Sequence, residues 1–126
     1  MKVTQTYIDG LIIIEPIIYN DKRGSFFESY NEKKFRKATK SNYKFTQDNE
    51  SESHKGVLRG LHFQCPPNAQ AKLVRCIKGK VLDVAVDIRS NSNTYGKHLA
   101  VELSAENKKQ MLIPPGFAHG FLVLSD

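Results

Sequence analysis

The stretch Lys80 to Arg89 constrains this chain most. Leu82, Val84, Val86 and Ile88 alternate there with Val81, Asp83, Ala85 and Asp87, the two-residue period of an extended strand with two unlike faces. One face is purely apolar. The other mixes small apolar residues with two carboxylates, which is unusual for a plain core and suits the lining of a barrel that holds a polar ligand. Further strand patterns run through Leu11–Ile14, Ser25–Tyr30, Lys44–Asp48, Val57–Gln64, Ala71–Ile77, Leu99–Leu103, Gln110–Ile113 and His119–Leu124. Pro16 ends the first of these. Turn chemistry separates the rest at Asn20–Gly24, Gly56, Pro66-Pro67, Gly79, Asn91-Ser92-Asn93 and Pro114-Pro115-Gly116. A single short helix, Glu32 to about Thr39, has Asn31 as its cap and an acidic residue in its first turn. So many short strands with one helix predict an all-β sandwich or barrel of jelly-roll type, as one domain over residues 1–126.

Length and composition narrow the function. A chain of 126 residues, 40% hydrophobic and 25% charged, with a mean hydropathy of -0.45, can bury a core without disulfide or metal staples. Cys65 and Cys76 are too few for a secreted disulfide framework. The apolar run Leu11–Ile14 is far too short for a membrane span or a signal core. The expectation is a soluble cytoplasmic protein with no membrane partner. Nineteen basic against thirteen acidic residues give a formal charge of +6, which favours an anionic partner. Nucleic acid is the first such partner to weigh. However, the densest cluster, Lys33, Lys34, Arg36, Lys37 and Lys40, has helical spacing and reads as a solvated helix face. Zinc-finger, RNA-binding and basic-zipper signatures are absent. A small phosphorylated ligand fits the charge without nucleic acid.

The residues able to do chemistry concentrate between Gln47 and Lys72. Arg59 and Lys72 place fixed positive charge in segments that otherwise read as strands, and lysine is rarely buried unless paired or serving a ligand. His62 sits mid-strand in Gly60-Leu61-His62-Phe63-Gln64, where an imidazole oriented by a carboxylate can take a proton near neutral pH. Asp83 is the in-chain candidate for that orienting role. Burying these groups together with Gln47 and Asn49 costs stability unless a ligand offsets it. His119, at the start of the strand after Pro115-Gly116-Phe117-Ala118, could meet His62 inside a barrel. Two histidines still fall short of the three or four ligands of a catalytic zinc or iron site, so neither a metal nor another cofactor is expected. Arg23 and Glu28 flank Phe26-Phe27 and, on sequence grounds alone, read as a surface pair on a hairpin. Strict alternation puts Arg59 and His62 on opposite faces of their strand. Either Gly60 hosts a bulge, or Arg59 reaches the ligand from the barrel mouth or from another subunit.

Several stretches, in order, resemble the dTDP-4-dehydrorhamnose 3,5-epimerases. They include Arg23-Gly24-Ser25-Phe26-Phe27-Glu28, Phe45-Thr46-Gln47-Asp48-Asn49, Gly56 through Gln64, Gln70-Ala71-Lys72-Leu73-Val74-Arg75, Asp83 through Asp87, Thr94-Tyr95-Gly96, and Pro115 through Phe121. The similarity runs from end to end. It implies a cupin jelly-roll barrel, metal-free and usually a homodimer, that inverts C3 and C5 of dTDP-4-dehydro-6-deoxy-D-glucose through an enolate in dTDP-L-rhamnose biosynthesis. By the same resemblance His62 is the base and Lys72 stabilises the oxyanion at the keto group. Arg59 contacts the diphosphate, and Arg23, Glu28, Gln47, Asn49 and His119 contact substrate. Family members continue beyond the Phe-Leu-Val-Leu-Ser stretch with a tyrosine acid and an aspartate partner for the base. The chain as written is therefore expected to be a fragment, or a short form that exchanges protons yet inverts poorly. A dTDP-sugar-binding barrel or a single-centre epimerase is the alternative.

Overall fold

The computed structural model describes residues 1–126. In chain order the elements are β1 (Lys2–Gln5), β2 (Ile12–Glu15), β3 (Ile18–Asp21), β4 (Gly24–Phe27), α1 (Glu32–Thr39), β5 (Leu58–His62), β6 (Lys72–Arg75), β7 (Lys80–Asp87), β8 (His98–Ser104), β9 (Gln110–Ile113) and β10 (Phe117–Val123). Two four-stranded antiparallel sheets, ordered β1-β2-β9-β6 and β5-β10-β7-β8, face each other, and β3-β4 forms a separate hairpin. β7 behaves as its alternation requires. Asp83, Ala85 and Asp87 are buried, and the intervening Leu82, Val84 and Val86 are half-buried on the outer face.

The inner faces meet in a core of Ile8, Leu11, Met111 and Ile113 from one side and Ala85, Leu103 and Phe117 from the other. The outer face of the β1-β2-β9-β6 sheet is covered by α1, where Phe35 packs on Ile12, Ile14 and Leu112. α1 starts where Asn31 Oδ1 accepts from the Lys34 amide at 3.0 Å, and it ends at Lys40 in the left-handed conformation. Lys33, Lys34 and Lys37 are exposed around it, so the basic cluster is a solvated face. No helix is long and apolar enough to cross a membrane.

Two local expectations are corrected. Lys44–Asp48 is not a strand. Phe45 packs edge-on against Tyr30 and Phe35, and Arg36 donates to the Tyr43 and Asn42 carbonyls, so side chains hold this segment without a ladder partner. The turn read at Asn20–Gly24 tightens to the two residues between Asp21 and Gly24, because β3 pairs with β4 as far as Asp21↔Gly24. β1 is an edge strand paired antiparallel with β2.

One end of the barrel is tied by Asp87. Arg89 donates to it through Nε and Nη2 at 3.0 Å each, and the Ser92 and Thr94 hydroxyls donate to Oδ2. Arg89 also reaches the Asp9 carbonyl at 2.8 Å and lies over the Phe117 ring, 4.7 Å from its centre. Burial pushes the Asp87 carboxyl up, but these donors outweigh it and hold the group well below the usual carboxylate range. A depressed folded-state value adds stability that is present above the unfolded value, about 3.9, and is lost as pH falls through the folded one. Asp87→Asn is therefore expected to lower the unfolding free energy by about 3 kcal/mol at neutral pH. Denaturant titrations should show the gap from wild type narrowing once pH drops below about 4. A gap that stays constant on acidification refutes this account.

Candidate active site

The site draws on both sheets. β5 is an edge of one sheet and β6 an edge of the other. Along β10, His119 pairs with His62 and Phe121 pairs with Arg59. That is a step of two residues on β10 against three on β5, so β5 carries one extra residue between Arg59 and His62. The bulge brings Arg59 and His62 onto one face. This is the inner face, because His119 and Phe121 also pair with Ala85 and Asp83 on β7. Leu58, beyond the bulge, pairs with Leu122 and points outward, 72% exposed.

Two glycines make this geometry sterically possible. Gly60 has φ +102, and a Cβ there would lie 2.6 Å from the His119 carbonyl oxygen and 2.7 Å from Gly120 Cα. A Cβ on Gly120 would in turn strike the Arg59 carbonyl. The backbones of β5 and β10 touch where the extra residue is inserted.

Arg59 is exposed and is held from outside by the preceding loop. Its Nε donates to Ser53 Oγ at 2.8 Å and its Nη2 to the Glu52 carbonyl at 3.4 Å. His62 is exposed at the end of β5. Lys72 opens β6 opposite Ile113, a buried core residue, and so faces the interior. Lys72 and His119 line one cleft with Gln64, Gln70, Phe63 and Phe117. At its floor, His119 Nε2 and Asp83 Oδ1 lie 2.7 Å apart, with Asp83 fully buried and His119 13% exposed. Burial pushes the Asp83 carboxyl above its ordinary range, against the pull of the His119 hydrogen bond and the positive charge of Lys72.

Asp83 therefore does not orient His62. β10 lies between β7 and β5, two strand spacings of nearly 5 Å each, and the carboxylate meets the histidine of the intervening strand. Within the chain the remaining candidates stand apart. Arg23 sits at the β3-β4 turn with its side chain on Asp21. Glu28 bonds Lys34 at 3.0 Å beside the start of α1. Gln47 donates to Asn49 at 3.2 Å on an exposed loop. The expected Arg23–Glu28 surface pair is replaced by these two local ion pairs. Phe63 and Phe117 were not expected as cleft walls, and Ser53, one of the polar residues concentrated between Gln47 and Lys72, was not expected as the clamp on Arg59. Phe117 could have been found from its place between the Gly116 turn and His119.

The fold is a two-sheet antiparallel barrel of the cupin jelly-roll class, with Arg59, His62, Lys72 and His119 on its inner face. A family model described as dTDP-4-dehydrorhamnose 3,5-epimerase matches residues 5–126, and the chain belongs to that family. A relative of that name from Shigella flexneri is 58% identical over 126 residues, covering 100% of this chain and 70% of its own length. The crystal structure of dTDP-4-dehydrorhamnose 3,5-epimerase from Elizabethkingia anophelis superposes with a TM-score of 0.93 at 58% identity, covering 99% of this chain and 68% of that one. The Legionella pneumophila dTDP-6-deoxy-D-glucose-3,5-epimerase, solved in complex with dTDP-4-keto-L-rhamnose, gives a TM-score of 0.94 at 53% identity, covering 98% of this chain and 65% of that one.

The contact between β5 and β10 carries a direct expectation. Gly60→Ala should lower the unfolding free energy by about 2–4 kcal/mol, since both a left-handed φ and a backbone clash oppose it. Urea denaturation measures the change. A loss under about 0.5 kcal/mol, the range of an ordinary surface substitution, would show that the two strands are free to separate there.

Proposed function

We propose that this chain acts as a dTDP-4-dehydrorhamnose 3,5-epimerase, in dTDP-L-rhamnose biosynthesis, on dTDP-4-dehydro-6-deoxy-D-glucose. His62 is the base, Lys72 the cation at the keto oxygen, and Arg59 the contact for the diphosphate. One observation carries the role assignment: the β5 bulge turns Arg59 and His62 to the inner face, and His62 pairs with the residue that shares a cleft with Lys72. A hydrogen on the carbon next to a ketone becomes removable when the developing enolate meets a fixed cation in a partly dry site. Lys72, a half-buried residue of β6 that lines the cleft, supplies that charge. Abstraction suits an imidazole, whose ordinary pKa lies close to neutral. Return of a proton to the opposite face of the carbon, delivered by solvent water, inverts the centre. A guanidinium at the barrel mouth offers the paired donors that a diphosphate accepts.

The native state we propose is a cytoplasmic homodimer. The outer face of the β5-β10-β7-β8 sheet supports self-association, with Leu58 and Leu61 72% and 53% exposed beside half-buried Leu82, Val84 and Leu122. The free thiols Cys65 and Cys76 suit a reducing compartment.

The test is solvent exchange. In D2O the protein should place deuterium at the carbons flanking the keto group of dTDP-4-dehydro-6-deoxy-D-glucose, read by mass spectrometry. His62→Asn should slow this by about 10²- to 10⁴-fold, the usual contribution of a positioned base. Arg59→Ala should weaken dTDP binding about tenfold or more, as loss of a charge-assisted hydrogen bond predicts. Well-folded wild-type protein that takes up no deuterium refutes the assignment of His62.

A further inference from the structure

Asp83 is the one buried side chain with a polar atom lacking a partner: Oδ1 is engaged by His119, and Oδ2 meets no donor. It is fully buried on the inner face of β7, opposite Phe121 of β10 and Val101 of β8. A carboxylate so enclosed costs stability unless it is paired on both oxygens, so packing alone does not account for it. Its neighbours do. His119 approaches from β10 on the same sheet, and Lys72 approaches from the opposite sheet, close enough for its charge to act on Asp83 yet without a hydrogen bond to it. The ring nitrogen that faces a carboxylate carries the proton, which decides what the other nitrogen presents. With Nε2–H directed at Asp83, His119 Nδ1 is left without a protein partner.

We infer that Asp83 is a positioning residue of the reaction. Its carboxylate fixes His119 as the Nε2–H tautomer, so that Nδ1 offers a lone pair to a substrate hydroxyl. Its free oxygen is the counter-charge that keeps the Lys72 ammonium turned into the same cleft. The inference rests on the epimerase reading only for the identity of the substrate. The carboxylate itself touches no substrate: one wall of the cleft is aligned from behind, through His119 and Lys72. Loss of the negative charge with shape retained should therefore damage turnover more than binding.

Asp83→Asn is the matching variant, because an amide fills the same space yet can either accept from or donate to the ring. In the native chain, ¹⁵N NMR of labelled histidine should show His119 with Nε2 protonated and Nδ1 bare, with no substrate present. The variant should show a mixture of tautomers. In the exchange assay its kcat should fall about 10- to 100-fold, as when a partner orienting a functional histidine is removed, while KM stays within about threefold. A native His119 protonated at Nδ1 overturns the inference, and so does a variant with unchanged tautomer and unchanged kcat. A rise in KM alone also overturns it, because Asp83 then serves binding only. Should the variant fail to fold, the native tautomer still decides. The tautomer reading needs no substrate, so native protein with the expected tautomer but no exchange counts against the epimerase reading and not against the Asp83–His119 pairing.

Discussion

The structure depends on the contact between Gly60 and Gly120. Two backbones approach so closely there that neither strand tolerates a Cβ, and the single surplus residue of β5 is accommodated at that point. Side chains on a regular strand alternate in facing, so residues three apart point to opposite sides. One inserted residue restores the parity and turns both Arg59 and His62 inward. The cationic contact and the imidazole thus owe their common direction to two residues with no side chain.

Much of this was legible in the sequence where periodicity and burial agree. β7 alternates cleanly because its two faces meet different environments, core on one side and a half-exposed apolar surface on the other. α1 was legible from its cap and first turn. The need for a bulge at Gly60 was legible as a conflict between strand period and chemistry, and the register resolves that conflict. Tertiary context hid the remainder. β1 is polar and takes its conformation from β2. Lys44–Asp48 alternates like a strand, yet its aromatic residue is captured by Tyr30 and Phe35 before any strand can pair with it. Asp83 was recognisable as an inward carboxylate, but its partner depends on strand order, and β10, the last strand in sequence, is inserted between β5 and β7.

Asp83 and Asp87 show how one strand uses the same side chain in opposite ways. Both are fully buried on the inner face of β7. Asp87 receives donors on both oxygens, and its ionised form is strongly favoured. Asp83 has one donor and one bare oxygen, and burial pushes its carboxyl above the ordinary range. Desolvation acts on both, so the number of hydrogen bonds decides the sign. The satisfied carboxylate closes the barrel, and the unsatisfied one lies beneath the cleft. Incomplete pairing in an otherwise well-satisfied interior is a cost that folding alone gives no reason to keep.

Exposure separates the two histidines in the same sense. A base that accepts a proton from carbon must lose it again, and an imidazole at an edge strand in contact with water can do so. His62 has that exposure, at the end of β5. His119 is largely enclosed, with Nε2 committed to Asp83, and a ring so committed is suited to holding a fixed hydrogen-bonding direction. Lys72 opens an edge strand of the opposite sheet and shares a cleft with His119. The exposure of His62 and the commitment of His119 to Asp83 favour His62 as the base over the better-ordered His119.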